Sequence, residues 1–159
     1  MPTLRPITDA DLPFLLQLYA TTREAELAGV PWTAEEKAAF VLHQFTAQHR
    51  HWQENYIDTR WDLIEEDGVP IGRLYVARRP EEIHIVDIAL MPAHRGRGLG
   101  TTLIQDLFAE GDASGRRVSI YVEVFNPARA LYERLGFAEV GRREVYVRME
   151  RPPAPGANR

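Results

Sequence analysis

The amino-acid sequence predicts a single domain of the mixed α/β class. Apolar residues recur with helical spacing near the N-terminus, alternate as in strands between about residues 61 and 90, and return to helical spacing after Gly98. The 159 residues match the size of one ordinary domain, and 45% of them are hydrophobic, which is enough to bury a core. The predicted order of elements is βααβββαβαβ, and residues 1–151 form the predicted domain.

Two amphipathic helices are predicted before the central strands. The first spans about residues 9–24, because apolar side chains recur there at the i, i+3, i+4 and i+7 positions of one helix face. The second runs from Thr33 to about Glu54, after a break in the chain at Gly29 to Pro31. The three histidines of this second helix do not share one face, so they predict no metal site.

Three consecutive strands follow as a meander. Trp61 to Glu66 and Ile71 to Arg79 flank an Asp-Gly turn, which is typical of a β-hairpin. The next strand, Ile83 to Leu90, is apolar on both faces apart from His84 and Asp87, as expected for a strand that is covered on both sides. These two polar side chains are therefore candidates for a functional role.

The second half of the chain returns to alternating helices and strands. A helix begins at Gly98, and a strand follows at Val118 to Val124. A short helix from Pro127 to Leu135 has proline in its first turn and glycine after its end, and Val145 to Glu150 forms the last predicted strand. Residues 152–159 lack periodicity and are predicted to be a disordered tail.

The composition excludes several kinds of chemistry. The chain contains no cysteine, which excludes disulfides, a thiolate nucleophile and therefore an acyl-cysteine intermediate. Its two serines, Ser114 and Ser119, lie outside any Gly-x-Ser-x-Gly turn, so a serine hydrolase is not expected.

Charge and hydropathy limit the partners of the protein. The formal net charge of −4 argues against non-specific nucleic-acid binding, and no apolar run approaches the roughly 20 residues that span a membrane. No secretion signal is recognised at the N-terminus, so we expect a cytoplasmic protein without nucleic-acid or membrane partners. All but one of the basic residues are arginine, which favours bidentate contacts with phosphate, so a small phosphorylated ligand remains open.

The segment from Met91 to Thr101 has the character of a phosphate-binding loop. It ends a strand and opens a helix, and it contains three glycines at alternate positions. Glycines let the backbone approach a ligand closely, and the free N–H groups at a helix start attract an anion such as a pyrophosphate. A dinucleotide-binding fingerprint would need glycine at position 101, and a P-loop would need a Gly-Lys-Ser/Thr ending, so both are excluded. A strand-to-helix turn without a ligand is the remaining alternative.

Two motifs together resemble those of a known family. Arg95-x-x-Gly98-x-Gly100 is similar to the Arg/Gln-x-x-Gly-x-Gly/Ala motif of the GCN5-related N-acetyltransferases, the GNAT family. The segment Asn126 to Phe137, with a Leu-Tyr pair and a Gly-Phe end, resembles the second motif of that family. The resemblance covers about Leu63 to Glu150. It implies the acyl-CoA N-acyltransferase fold, in which helices flank a twisted and mostly antiparallel central sheet.

The resemblance also implies a binding site for acetyl-coenzyme A, without a metal. The implied contacts come from the end of the third meander strand, the glycine-rich loop and the second motif: Ile88, Ala89, Leu90, Arg95, Gly96, Arg97, Gly98, Leu99, Gly100, Thr101, Asn126 and Tyr132. Asn126 precedes Tyr132 by six positions where many members use seven, so a role for Asn126 as helix N-cap stands beside the coenzyme contact.

The catalytic candidates are Tyr132, His84 and Asp87. By resemblance, the Tyr132 hydroxyl protonates or hydrogen-bonds the departing coenzyme A thiolate, although its helical spacing also fits a core residue. His84 and Asp87 are the candidate bases that deprotonate the amine, and a purely structural hydrogen-bonding role is the alternative for each. Further acidic candidates for the base or for binding a cationic acceptor are Glu123, Glu24 and Glu26.

The sequence therefore predicts an N-acetyltransferase that transfers acetyl directly to an amine within a ternary complex. The acceptor is expected to be an amine-bearing small molecule, a peptide or a protein N-terminus, and a homodimer is left open. Two alternatives remain, namely a non-catalytic sensor of acetyl-coenzyme A and a small phosphate-binding regulator.

Overall fold

The computed structural model describes residues 2–155, in which seven strands and four α-helices form a single sheet with flanking helices. In chain order the elements are β1 (Thr3–Pro6), α1 (Leu12–Ala28), α2 (Ala34–Asn55), β2 (Thr59–Glu66), β3 (Val69–Arg78), β4 (Glu82–Leu90), α3 (Leu99–Ser114), β5 (Arg117–Glu123), α4 (Ala128–Leu135), β6 (Ala138–Arg143) and β7 (Tyr146–Arg151).

The strands pair in the order β1-β2-β3-β4-β5-β7-β6. Every neighbouring pair is antiparallel except β4 and β5, which run parallel. The expected mixed α/β class with a mostly antiparallel sheet is thereby confirmed. One strand was missed: β6 is exposed at every position, so its sequence carries no apolar alternation.

Helices cover both faces of the sheet. On one face, Leu103 and Leu107 of α3 pack with strand residues such as Ile85 in the larger apolar cluster, which also includes α4. On the other face, α1 and α2 form a second cluster around Leu15 and Phe45. Each large apolar side chain buried in this way contributes roughly 1.5–3 kcal/mol to stability.

The sheet splits between β4 and β5. Their parallel ladder contains only four residue pairs and ends at Ile85 and Ile120, while β5 continues in its pairing with β7 as far as Glu123. From Val86 to Leu90, the edge of β4 that faces β5 is therefore open. A cleft in the middle of the sheet results.

A β-bulge in β4 lies at the point where the cleft begins. Tyr75 of β3 pairs with Asp87 whereas Val76 pairs with Ile85, so Val86 is the extra residue. Strict alternation would place His84 and Asp87 on opposite faces, since they are three residues apart. The bulge brings both side chains to the face that α1 and α2 cover.

Two further predictions concern membrane-spanning segments and the C-terminal tail. Within residues 2–155, no helix combines the length and apolar character that crossing a bilayer requires. In the predicted tail, the Ala154 N–H donates to Asp112 Oδ1 at 2.8 Å. Residues 156–159 of that tail lie outside the described residues, and its predicted disorder stays a prediction.

Candidate functional site

The glycine-rich loop opens α3 with exposed backbone N–H groups. Gly96 and Gly98 adopt the left-handed region, with φ of +75° and +77°, which side chains rarely tolerate. No side chain in the described part of the chain caps the N-terminus of α3, whose N-cap position is Gly98. The space next to both glycines is open. This end of the helix can therefore accept an anion.

The two arginines of the loop are engaged by protein groups. Arg95 Nε donates to the Leu90 carbonyl oxygen at 2.9 Å, and its Nη2 lies 3.3 Å from the Thr21 hydroxyl on α1. Arg97 Nη2 lies 3.2 Å from both carboxylate oxygens of Glu66. These contacts hold the loop in shape, and both guanidinium groups lie against the protein.

The close pairing of β3 with the end of β4 depends on a glycine that was not predicted to matter. Gly72 on β3 pairs with Leu90, and a Cβ at position 72 would overlap the carbonyl oxygen of Ala89. Only glycine lets the two strands approach this closely beside the open edge. The signal in the sequence was a glycine inside an apolar strand.

Tyr132 lies on α4, as a member of the larger apolar cluster. Its side chain packs against Phe137 at a ring-centroid distance of 5.8 Å, and only 8% of the residue is exposed. Burial raises the pKa of Tyr132 to about 12, and the negative charge of Asp87 acts in the same direction. The hydroxyl therefore stays protonated at neutral pH and lies within electrostatic reach of Asp87.

Asp87 is held by a buried arginine. Its Oδ2 accepts a hydrogen bond of 2.6 Å from Nε of Arg73, whose side chain is 4% exposed. The Asp87 side chain is 28% exposed, so the carboxylate also reaches the open part of the cleft. Arg73 was not anticipated from the sequence, although it interrupts apolar β3 as His84 and Asp87 interrupt β4.

His84 belongs to a separate polar cluster. Its Nδ1 lies 2.8 Å from the Ser119 hydroxyl oxygen, and that hydroxyl donates to Glu82 Oε1 at 2.6 Å. Because the single serine proton points to Glu82, Ser119 accepts a hydrogen bond from Nδ1–H of His84, and Nε2 of the neutral ring carries the lone pair.

Burial controls the ionisation of this cluster. It lowers the pKa of His84 to about 4, well below the ordinary histidine value of about 6.5. For Glu82 burial opposes ionisation, but hydrogen bonds from Ser119 and Arg148 prevail and lower its pKa to about 2. At neutral pH, His84 is therefore uncharged beside an ionised Glu82.

The remaining candidates are the amide Asn126 and three glutamates. Asn126 Oδ1 accepts a hydrogen bond of 2.9 Å from the Ala128 N–H, so Asn126 acts as a cap for α4. Glu123 ends β5 at 3.9 Å from Nη1 of Arg23, and the same guanidinium donates to Glu26 at 2.8 Å. Glu24 lies apart from these residues, in a groove between α1 and α2.

The structure thus brings only some of the predicted residues together. The loop follows the open edge of β4, which carries Asp87, and the charge of Asp87 acts on Tyr132. His84 is turned toward Ser119 and Glu82. In residues 2–155, no set of three or more histidine or acidic side chains is arranged to hold a metal ion.

The sequence is similar to those of characterised acetyltransferases. A model of the acetyltransferase (GNAT) family matches residues 15–137. The N-alpha-acetyltransferase RimI of Mycobacterium tuberculosis is 37% identical over 156 residues, which cover 92% of this chain and 85% of that protein. The ribosomal protein bS18-alanine N-acetyltransferase of Haemophilus influenzae is 30% identical over 127 residues, covering 79% of this chain and 81% of that protein.

Other matches are shorter or concern the fold alone. A relative from Bacillus subtilis is 38% identical over 88 residues, so the match spans only 57% of the length of that protein. The PaiA N-acetyltransferase of Thermoplasma acidophilum, solved in complex with coenzyme A, has a TM-score of 0.70 at 17% identity. That likeness covers 96% of this chain and 99% of the other, and it is a likeness of fold.

Proposed function

The chain belongs to the GNAT family of acetyltransferases, and from this premise we propose that it transfers the acetyl group of acetyl-coenzyme A to a primary amine. One observation carries the proposal: an open strand edge at Val86 to Leu90 runs toward the uncapped N-terminus of α3. The edge suits an amide-containing arm, and the helix start suits a pyrophosphate. Acetyl-coenzyme A contains both groups in one extended molecule.

The donor site uses the backbone more than side chains. The N–H groups from Leu99 to Thr101 bind the pyrophosphate, and Gly96 and Gly98 leave room for it. The backbone of Ile88 to Leu90 pairs with the pantetheine arm, and an N–H near Leu90 polarises the thioester carbonyl. Arg95 and Arg97 hold the loop in shape and add positive charge near the phosphates.

The reaction is a direct transfer in a complex of both substrates. Acetyl-coenzyme A supplies an activated acetyl thioester, in which the neutral amine attacks the carbonyl carbon. A C–N bond forms and the C–S bond breaks, so the products are an amide and coenzyme A, whose thiol gains, through solvent, the proton that the amine nitrogen loses. The chain has no cysteine to carry the acetyl group in between, which supports direct attack.

Tyr132 stabilises the leaving group. The pKa of its buried hydroxyl is raised to about 12, whereas an ordinary thiol has a pKa of about 8.5. Full proton transfer from Tyr132 to the thiolate is therefore uphill. We assign Tyr132 the donation of a hydrogen bond to the departing sulfur, with the final proton coming from solvent.

The amine contacts Asp87 rather than His84. Asp87 reaches the cleft beside Tyr132, and its carboxylate can accept a hydrogen bond from the acceptor N–H. His84 is 3% exposed and has a pKa lowered to about 4, so it acts, if at all, through water and as a weak base. A contact between Asn126 and the coenzyme remains a proposal. It is compatible with the capping of α4, because the bond to the Ala128 N–H uses only the side-chain oxygen of Asn126.

His84 is a weak base, because its pKa is lowered to about 4, and this favours an acceptor amine with a low pKa. An α-amine, with a pKa of about 7.7–8.0, is roughly one-tenth neutral at pH 7, whereas a lysine-type amine with a pKa near 10.4 is neutral in fewer than about one molecule in a thousand. We therefore propose a polypeptide N-terminus as the acceptor. The names of the N-alpha-acetyltransferase and alanine N-acetyltransferase relatives support this class.

Release of free thiol from acetyl-coenzyme A, measured with a panel of amines, tests the function. We expect turnover with short peptides that begin with a free alanine and none with the same peptides blocked at the N-terminus. A polyamine and a peptide whose only amine is an internal lysine serve as comparisons, and preference for either would contradict the α-amine assignment. Tight binding of acetyl-coenzyme A without turnover on any amine would instead indicate a sensor.

A further inference from the structure

We propose that Arg73 is a positioning residue, which fixes the Asp87 carboxylate so that its free oxygen orients the acceptor amine in the cleft. The inference rests on the function proposed above, in which Asp87 contacts the amine. Arg73 itself lies beneath the site on β3, and its side chain is 4% exposed. It acts on the substrate only through Asp87.

Two aromatic side chains hold the Arg73 guanidinium in place. Its central carbon lies 5.3 Å from the ring centroid of Trp52 on α2 and 5.1 Å from that of Tyr75 on β3. Cation–π contacts of this kind strengthen when water is excluded, as it is here. The side chain is therefore fixed by packing before any ligand arrives.

The buried charge requires a partner, and Asp87 supplies it. An unpaired guanidinium in the interior is strongly destabilising, so the hydrogen bond of 2.6 Å between Arg73 Nε and Asp87 Oδ2 is constrained from the arginine side. The same bond restricts the rotation of the carboxylate. A strand carboxylate without such a partner would sample several rotamers and point at the cleft only part of the time.

The other charged or titratable groups around Arg73 do not compete for it. His49 of α2 lies close enough for its pKa to be lowered, first by burial and then by the charge of Arg73, so it is a neutral neighbour. The Tyr75 hydroxyl is buried, and burial raises its pKa to about 12, so it too is uncharged. Asp87 thus carries the compensating negative charge.

The bulge in β4 places Asp87 on the same face of the sheet as Arg73. Because Val86 is the extra residue, Asp87 lies opposite Tyr75 and on the same face as Arg73. Its charge also reaches Tyr132 across the cleft and contributes to the raised pKa of that tyrosine. The carboxylate therefore stands between a fixed cation and the group proposed to stabilise the leaving sulfur.

Steady-state kinetics of variants with an alanine-initiated peptide test the proposal. We expect Arg73→Met, which keeps the length and apolar contacts of the side chain, to lower kcat/KM for the peptide by about 10²-fold, the loss typical of a misplaced substrate. The KM for acetyl-coenzyme A should change less than about twofold. Arg78→Met on the same strand is the matched control, because Arg78 pairs with Glu110 on the opposite face and should leave both parameters unchanged.

A double variant separates positioning from general destabilisation. If Arg73 acts through Asp87, Arg73→Met should have almost no further effect on kcat/KM in an Asp87→Asn background. Losses that multiply, or parental peptide kinetics in Arg73→Met, would overturn the proposal. Should Arg73→Met fail to fold, Arg73→Lys retains the charge but not the planar Nε–H bond, and normal peptide kinetics in that variant would overturn it equally. Inactivity of the parent enzyme on every amine would instead reject the proposed function.

Discussion

His84 and Asp87 lie three positions apart on one strand yet have opposite environments. His84 is enclosed by Ser119 and Glu82 and is uncharged at neutral pH, whereas Asp87 is paired with a cation and borders the cleft. Both were identified as functional candidates from the sequence, because they are polar residues in an otherwise apolar strand. The sequence alone could not separate the two environments, because they depend on partners that other strands supply, Ser119 for His84 and Arg73 for Asp87.

The buried histidine predicts a specific dependence of stability on pH. The folded pKa of His84, about 4, lies below the unfolded value of about 6.5, so between these values the unfolded chain binds more protons. The contribution of His84 to stability is complete above pH 6.5 and is lost as the pH falls to about 4. We expect this loss to be about 3 kcal/mol.

Urea unfolding at several pH values between 4 and 7 measures this effect. His84→Gln keeps a polar group beside Ser119 but cannot titrate, so the slope of unfolding free energy against pH in that variant should be clearly shallower than in the parent. Nearby Glu82, Arg79, Arg148 and Asp58 also act on His84, and they are present in both proteins, so the comparison of the two slopes isolates the titration of His84. Equal slopes in the two proteins would show that His84 is not held neutral by burial.

The loop that joins β4 to α3 combines two structural features that an anion site needs. Gly96 and Gly98 supply backbone conformations with positive φ, and the helix start supplies unpaired N–H groups. The motif was recognisable from the sequence because each requirement demands a particular residue at a fixed spacing. The contacts that shape the loop, from Arg95 to Leu90 and from Arg97 to Glu66, depend on tertiary structure and were not predictable.

Replacing Gly98 with glutamate should abolish acetyl-coenzyme A binding. The new side chain places a carboxylate in the open space beside the N-terminus of α3, where it fills the anion site and repels phosphate. In the parent, ligand at 100 times its dissociation constant should add about 2.7 kcal/mol to the unfolding free energy. Thermal unfolding with and without acetyl-coenzyme A measures the difference, which should vanish in Gly98→Glu.

The turn between β2 and β3 provides a matched control. Gly68 has a φ of +78°, close to the +77° of Gly98, and likewise has open space beside it. Gly68→Glu therefore introduces the same backbone strain, roughly 1–2 kcal/mol, without touching the loop. It should lower the melting temperature but keep the full ligand shift, and loss of the shift in this variant as well would contradict the loop assignment.

Strand β6 shows where prediction from the sequence stops. The helices and the strands from β2 to β5 bury one or two faces, and their periodicity or apolar runs could be read from the sequence. Ala138–Arg143 is exposed throughout and forms an edge that pairs only with β7. Its strand conformation depends on pairing with β7, so its own residues show no alternation of apolar and polar side chains.

At the scale of the whole molecule, the two parts of the proposed site rest on different layers. The apolar cluster with α3 and α4 supports the donor loop and Tyr132, while the cluster with α1 and α2 supports Arg73 and Asp87. The layers are separated by the sheet and meet where β4 and β5 diverge. In the proposed function, acetyl transfer therefore takes place in the cleft. Because the net charge is −4, we expect the start of α3, rather than the overall field of the protein, to attract the anionic donor.

Localisation of the transferred acetyl group tests the central claim most directly. An alanine-initiated peptide that also contains one internal lysine is incubated with the enzyme and acetyl-coenzyme A, and tandem mass spectrometry then assigns the modified nitrogen. We predict one added acetyl group on the α-nitrogen, formed about 10²-fold more slowly by Tyr132→Phe, which lacks the proposed hydrogen-bond donor. Acetyl on the lysine side chain, or consumption of acetyl-coenzyme A without any acetylated peptide, would contradict the account.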